Sequence, residues 1–298
     1  MSRALLIDAG NSRIKWAIVD TRNASALEMS AWIRSTSDNA EPERTESDKG
    51  RRNGPATLAA GAYEHGNEAA EHALLSAAPI PARAVISNVA GADVAARIGA
   101  LVERTWPGLV CEWVRSLEQQ HGVTNGYRTP SELGTDRWCG MIGAHAAYPG
   151  EHLLIATLGT ATTVEALRDD GFFAGGLIAP GWTLMMESLG QRTAQLPSLD
   201  TAQATRELRA MGATEHNRDA FACDTRTSLS EGSRAAQAAF VEYAWREAQA
   251  LFGGSVRCIL GGGAAKAIGD ALRIPFTRHD GLVLAGLALI ARELDPTR

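Results

Sequence analysis

Three aliphatic residues, Leu5-Leu6-Ile7, run into Asp8-Ala9-Gly10-Asn11-Ser12, and an apolar, β-prone stretch resumes from Ile14 to Val19. The pattern predicts a buried strand, a tight turn and a second strand. The turn carries a carboxylate and several backbone N–H groups that a ligand can use. Nothing larger than Gly10 crowds it, so it can hold phosphate oxygens. Asp8 repels phosphate, but it can hold a Mg²⁺ that bridges to the phosphates, directly or through water. An ordinary β-hairpin with an Asx-rich turn has the same local pattern.

The same grammar occurs again. Leu153-Leu154-Ile155-Ala156-Thr157-Leu158-Gly159-Thr160-Ala161-Thr162-Thr163 gives a strand, a Gly turn and small hydroxyl residues, followed by apolar Val164 to Leu167. A third Gly turn follows the strand Val256-Arg257-Cys258-Ile259-Leu260, as Gly261-Gly262-Gly263. There the backbone can pass close to a flat ligand such as adenine. Two phosphate-type turns, each opening one half of the chain, predict a duplicated α/β fold with a nucleotide between the halves. The layout resembles the acetate and sugar kinase, Hsp70 and actin superfamily. That resemblance implies duplicated actin-like (ribonuclease H-like) domains with the nucleotide cleft between them.

At 298 residues the chain is long for one core and natural for two domains. The expected halves are residues 1–128 and 129–298, the second holding the substrate site and a dimer interface. A net charge of -5 gives no support for a nucleic-acid or anionic-membrane partner. It says nothing against a small anionic ligand, because Arg13, Lys15 and Arg137 lie near the candidate turns. Arg3, Asp8, Arg13 and Lys15 interrupt the N-terminal apolar stretch, so no signal peptide is visible. The apolar run Leu282 to Ala291 is too short to span a bilayer and predicts a buried helix. Cys111, Cys139, Cys223 and Cys258 are widely spread, without metal-type pairing. They predict reduced core thiols in a cytoplasmic protein.

Between the motifs, strands alternate with helices. Ala26 to Ile33 predicts a strand, and Ser35 to Pro55, polar and charged, a mobile surface insertion at about 35–55. Glu68 to Ala78 predicts a helix stopped by Pro79 and Pro81, Arg83 to Asn88 a strand, Asp93 to Thr105 an amphipathic helix and Leu109 to Val114 a strand. Gly126-Tyr127-Arg128-Thr129-Pro130 leads to Gly134-Thr135-Asp136-Arg137, and an Ala-rich helix then runs to about Tyr148. An Asp at such a helix start is most often a cap or first-turn acid. Gly175-Gly176-Leu177-Ile178-Ala179-Pro180-Gly181 predicts tight backbone passage around a short strand. Thr183 to Gln195 predicts a helix whose Met185 and Met186 are core. Pro197 to Phe221 predicts loop and helix over the cleft, and Thr225 to Ala250 a long helix.

Taken in register, these five motifs resemble those of the type III pantothenate kinases, and they span nearly the whole length. The resemblance implies ATP-dependent phosphorylation of pantothenate to 4′-phosphopantothenate, the first step of coenzyme A synthesis, by a cytoplasmic homodimer. It implies that Asp8, Ala9, Gly10, Asn11, Ser12, Arg13, Ile14 and Lys15 wrap the ATP phosphates. Asp8 is then associated with Mg²⁺, and Thr160 is a second ATP contact. It makes Asp136 the general base, and Tyr127, Gly134, Thr135, Asp136, Arg137 and Thr225 the pantothenate contacts.

One position departs from the pattern. Two residues before Gly159 the family normally carries an Asp that binds a monovalent cation, K⁺ or NH₄⁺, and here it is Thr157. Two rivals stand beside the pantothenate reading. Another small-molecule kinase of the superfamily, for sugar or acetate, would need different polar groups around its acceptor. A non-catalytic regulatory protein would have no use for Asp8, Asp136 and two phosphate turns.

A neutral hydroxyl at Thr157 replaces a full negative charge, and a hard cation favours charged oxygens. Activity is therefore expected to depend on K⁺ less, or to saturate at higher K⁺, than in relatives carrying Asp, whether K⁺ binds weakly or Lys15 or Arg13 takes its place. Thr157→Asp should restore tight activation. A KCl titration against a bulky organic cation at constant ionic strength reads this. Steep, saturable activation of the native enzyme at low K⁺ would show that another group supplies the charge.

Overall fold

The computed structural model describes residues 3–21, 57–67, 79–192, 203–204, 206–208 and 221–294. The expected strand Ala26–Ile33, the insertion at 35–55, the helix Glu68–Ala78 and most of Pro197–Phe221 lie outside the described residues. The chain runs β1 (Arg3–Ala9), β2 (Arg13–Asp20), β3 (Thr57–Glu64), β4 (Arg83–Asn88), α1 (Ala92–Thr105), β5 (Cys111–Trp113), β6 (Gln119–Gln120), β7 (Val123–Asn125) and α2 (Thr135–Ala147). It continues with β8 (His152–Leu158), β9 (Ala161–Leu167), β10 (Phe172–Pro180), α3 (Trp182–Arg192), α4 (Thr225–Phe252), β11 (Val256–Gly261), α5 (Ala265–Gly269), β12 (Phe276–Arg278) and α6 (Leu282–Glu293).

Two compact units result. Unit 1 comprises Met1–Gly150, Asp169–Phe173 and Gly281–Arg298; unit 2 comprises Glu151–Arg168 and Ala174–Asp280. Residues 129–150 and α6 thus fold with the N-terminal strands.

In unit 1 the sheet order is β3-β2-β1-β4-β5. β1 and β2 form the antiparallel hairpin, with Asp8 opposite Lys15, and β4 runs parallel to β1, with Ser87 beside Asp8. β1 is the central strand. Leu5, Leu6 and Ile7 are all within 2% of complete burial, which is why its sequence is continuous rather than alternating in polarity. The edge strand β3 exposes most of its residues. α1 directs Val94, Ile98, Leu101 and Val102 into the core and carries the chain from β4 to the parallel strand β5.

Unit 2 repeats this arrangement. Its strand order is β12-β11-β8-β9-β10. β8 and β9 form an antiparallel hairpin, β11 is parallel to β8, and β12 is parallel to β11. β8, β9, β11 and β12 therefore correspond to β1, β2, β4 and β5, and the duplicated α/β fold expected from the two turns is present. β10 runs unbroken through Gly175 and Gly176, so the strand is longer than expected, and the tight passage expected in this stretch falls at its last residue. A Cβ on Gly181 would sit 2.1 Å from the Gly159 carbonyl oxygen. Of the two methionines expected in the core, Met186 is fully buried and Met185 only partly covered. Of the expected core thiols, Cys139 and Cys258 are buried, but Cys223 is exposed and Cys111 only partly covered.

The position of α2 depends on α6. α6 is apolar almost all round and nearly wholly buried. Its approach to α2 is so close that a Cβ on Gly143 would lie 2.3 Å from the Leu282 carbonyl oxygen, and one on Gly286 2.0 Å from that of Cys139. Glycine weakens a helix by about 0.5–1 kcal/mol relative to Ala; here that loss permits backbone contact. Gly286→Ala should therefore destabilise the protein by roughly 1–3 kcal/mol through overpacking. Gly99→Ala in α1, where an added methyl meets nothing within 4 Å, should stabilise it by about 0.5–1 kcal/mol. Denaturant melts of the two variants check this, and equal effects would contradict it.

Candidate active site

The chemistry-bearing residues of unit 1 gather where β1 and β4 end and α2 begins. β1 delivers Asp8 to a place where it is 8% exposed. Burial raises its carboxyl group to about 6; Lys15, across the hairpin, pulls it down, and the neighbouring Asp136 carboxylate pushes it up. From Ser87, beside Asp8 on β4, a hydroxyl–hydroxyl hydrogen bond of 2.9 Å reaches Thr135, the first residue of α2. The sheet is thereby tied to the helix that carries Asp136.

Asp136 lies in the first turn of α2, after Gly134 at the N-cap. Its Oδ1 accepts the Arg137 backbone N–H at 2.8 Å. Burial raises its pKa, against the lowering effect of that amide and of the Arg137 guanidinium. A Cβ at position 134 would stand 2.7 Å from Oδ1, so glycine is what leaves the carboxylate its room. Beneath both acids lies the fully buried Cys139, whose thiol is raised well above its ordinary value by burial, with Asp8 and Asp136 adding to it. The thiol stays neutral and cannot relieve their charge.

Arg137 points to an aromatic pair. Its Nη1 donates to the Tyr127 hydroxyl at 2.9 Å. Its guanidinium carbon lies 5.6 Å from the Tyr127 ring centroid and 5.9 Å from that of Phe173. The two rings pack 5.3 Å apart. The Tyr127 backbone N–H donates to Asn125 Oδ1 at 3.0 Å. A fixed cation against aromatic faces suits a carboxylate attached to an apolar chain.

The expected phosphate turn divides in two. Asn11, Ser12 and Arg13 are exposed, whereas Ala9 and Ile14 are buried in the core, so those two can offer a ligand only backbone. The Gly10 N–H donates to the Arg13 carbonyl at 3.1 Å, and a methyl at position 10 would meet that same oxygen at 3.4 Å. Gly10 thus presents a bare surface rather than a forced backbone conformation. His65, just past β3, donates from Nε2 to the Gly10 carbonyl at 2.8 Å.

Thr157, Thr160 and Thr225 belong to unit 2. Thr157 is exposed at the end of β8, with Thr163 directly opposite on β9 and Gly261 beside it on β11. The Thr160 carbonyl accepts the Gly181 N–H at 2.9 Å. Thr225 opens α4 and is exposed; the cap is its neighbour Asp224, which accepts the Thr227 N–H. Ser87, Phe173 and His65 were not singled out by the sequence. None stands in a motif, and each reaches the site through strand pairing or chain return.

Buried Asp8 and partly buried Asp136 fit a cation. Two carboxylates sharing one low-dielectric place resist joint ionisation unless positive charge is supplied, and Lys15 supplies part of it. A divalent ion held by Asp8 and by phosphate oxygens would supply the rest.

A sequence profile of the type III pantothenate kinases matches residues 4–247. A type III pantothenate kinase of Burkholderia cenocepacia is 51% identical over 289 residues, covering 97% of this chain and 95% of the relative. One of Paraburkholderia phytofirmans is 51% identical over 291 residues, covering 97% and 95%. Among solved structures, a Baf family transcriptional activator from Campylobacter jejuni superposes with a TM-score of 0.51 at 13% identity, over 97% of this chain and 98% of that one. A PilM–PilN type IV pilus biogenesis complex gives 0.51 at 12% identity, over 97% and 98%. At these identities the two structures show the shared fold alone.

The folded chain holds the Asp8 proton up to about pH 6, whereas an unfolded Asp releases it near 3.9. Native stability is therefore lost as pH rises between those values. Asp8→Asn cannot ionise and escapes that loss. Without divalent ion or nucleotide, the variant should be more stable than the native protein above about pH 7, by roughly 1–3 kcal/mol. The difference should close towards pH 4. Denaturant melts across that range read it, and a gap independent of pH would show that folding does not shift the Asp8 titration.

Proposed function

The chain belongs to the type III pantothenate kinases, and we infer from that membership that it transfers the γ-phosphoryl group of ATP to pantothenate. The product is 4′-phosphopantothenate, and the reaction opens coenzyme A biosynthesis. The observation that carries the residue assignments is the pairing of two carboxylates, buried Asp8 and partly buried Asp136, beside the Arg137–Tyr127–Phe173 cluster.

In the proposed mechanism, the primary hydroxyl of pantothenate attacks the γ-phosphorus of ATP. A new P–O bond forms, the bond from the γ-phosphorus to the bridging oxygen breaks, and ADP leaves with that electron pair. Asp136 takes the hydroxyl proton. Its raised pKa favours this role, because a base works best when its pKa approaches the working pH. Arg137, oriented by Tyr127, pairs with the pantothenate carboxylate. Tyr127, backed by the fully buried Phe173, covers the apolar part of the molecule, and Gly134 and Thr135 border it. Backbone N–H groups of the turn from Asp8 to Ser12, with Arg13 and Lys15, hold the phosphates; Ala9 and Ile14 shape that turn from the core side. Asp8 would hold a Mg²⁺, which when bound would supply charge neutralisation on the phosphate oxygens.

Roles for unit 2 are proposed on narrower grounds. Thr160 is assigned an ATP contact and Thr225 a pantothenate contact. A monovalent cation beside Thr157 is supported by Thr163, whose hydroxyl oxygen is buried and has no hydrogen-bond partner among the described residues. A homodimer is supported by Leu177 and Ile178 on β10, 43% and 63% exposed, and by exposed Leu184 and Leu189 on α3. Among the described residues no helix is long and apolar enough to cross a membrane.

A coupled ADP-release assay with pantothenate as the sole acceptor tests the reaction, with sugars and acetate as comparison acceptors. Asp136→Asn, isosteric but unable to accept the proton, should keep ATP binding and lose about 10²–10⁴-fold in kcat. Near-native turnover in the folded variant would reduce Asp136 to a first-turn helix acid.

A further inference from the structure

We propose that His65 is a positioning residue that fixes the direction of the Asn11 backbone N–H, and so prepares the phosphate turn before ATP arrives. The proposal rests on the ATP-binding reading of the turn from Asp8 to Ser12. β3 returns antiparallel to β2 with Glu64 opposite Arg13, which leaves the next residue, His65, beside the turn. Its Nε2 lies 2.8 Å from the Gly10 carbonyl oxygen. A carbonyl cannot donate, so the proton is on the histidine nitrogen.

The Gly10 carbonyl and the Asn11 N–H belong to one planar trans peptide and point in opposite directions. Holding the carbonyl towards His65 therefore aims the amide away from it. The preceding peptide is fixed separately. The Ala9 carbonyl accepts the Val89 N–H at 3.1 Å, and the Gly10 N–H donates to Arg13 at 3.1 Å. Neither contact restrains the Gly10–Asn11 peptide. That peptide flips by rotation about Gly10 ψ and Asn11 φ, the two residue types that most readily accept unusual backbone angles. Flipped, it turns a carbonyl oxygen to the place where an amide would meet phosphate. His65 opposes the flip from outside the turn, and the sequence places it more than fifty residues from Gly10.

The test compares side chains that keep or remove the donor. His65→Phe keeps a ring without a donor, and His65→Met is a second donor-free variant should Phe not fold. His65→Gln places an amide N–H where Nε2 stands. Calorimetric binding of Mg²⁺-ATP to each, alongside the KM for ATP and for pantothenate, gives the readout. The donor-free variants should bind ATP about tenfold more weakly, the effect of one lost phosphate-directed hydrogen bond. His65→Gln should recover most of that affinity, and the pantothenate KM should stay unchanged in all three. Native-like ATP affinity in a folded donor-free variant overturns the proposal. So does a Gln variant as weak as Phe, which would mark a packing role only. If the native chain binds no ATP, the proposal falls together with the reading of the turn. If it binds ATP but leaves pantothenate unphosphorylated, the acceptor assignment alone fails, and the histidine comparison still decides this proposal.

Discussion

Two carboxylates held in one poorly solvated place set the terms for everything around them. Asp8 and Asp136 each lose hydration on folding, and the charge of Asp136 further raises Asp8. Such a pair is unfavourable unless cationic charge enters. A phosphoryl-transfer site uses that imbalance. A divalent ion and the basic groups that relieve it would also neutralise phosphates, and burial raises the pKa of Asp136, the acid proposed to take the proton.

The surrounding architecture keeps the two acids where they are. Asp8 is carried by a strand buried on both faces, which cannot shift without disrupting the core of unit 1. Asp136 is carried by α2, whose glycines admit the backbone of α6. The Ser87–Thr135 hydrogen bond joins strand to helix at the point where the acids meet. Because α6 comes from the far end of the sequence, the first motif and the last apolar helix cooperate in one unit.

The two turns of the duplication differ in the groups they carry. Unit 2 carries the same strand order and an equivalent hairpin turn, yet its turn lacks an acid and bears Thr157, Thr160 and Thr163. Hydroxyl and amide groups suffice to hold phosphate oxygens, whereas an acid is needed only where a divalent ion or a proton must be held. Gly181, jammed against the Gly159 carbonyl, shows how closely β10 passes this second turn.

Much of this was legible in the residues themselves. Strand–Gly–turn repetition is local chemistry: aliphatic runs must be buried and a small residue must follow where the chain doubles back, so the two hairpins and the duplicated fold were written in short stretches. Asp8 and Asp136 were visible because an acid at the end of a buried strand and an acid at a helix start are unusual together with Gly turns. Other features were decided by tertiary structure. That residues 129–150 and α6 join the N-terminal strands, that Gly143 and Gly286 are contact points, and that Phe173 stacks beside Tyr127 all depend on chain returns that no local pattern encodes. His65 is the sharpest case. A histidine after an edge strand carries no signal of its own, and only the register of β3 on β2 brings its proton to the Gly10 carbonyl. Local sequence sets which backbone groups a turn can offer; long-range pairing sets which way they point, because direction depends on partners far along the chain.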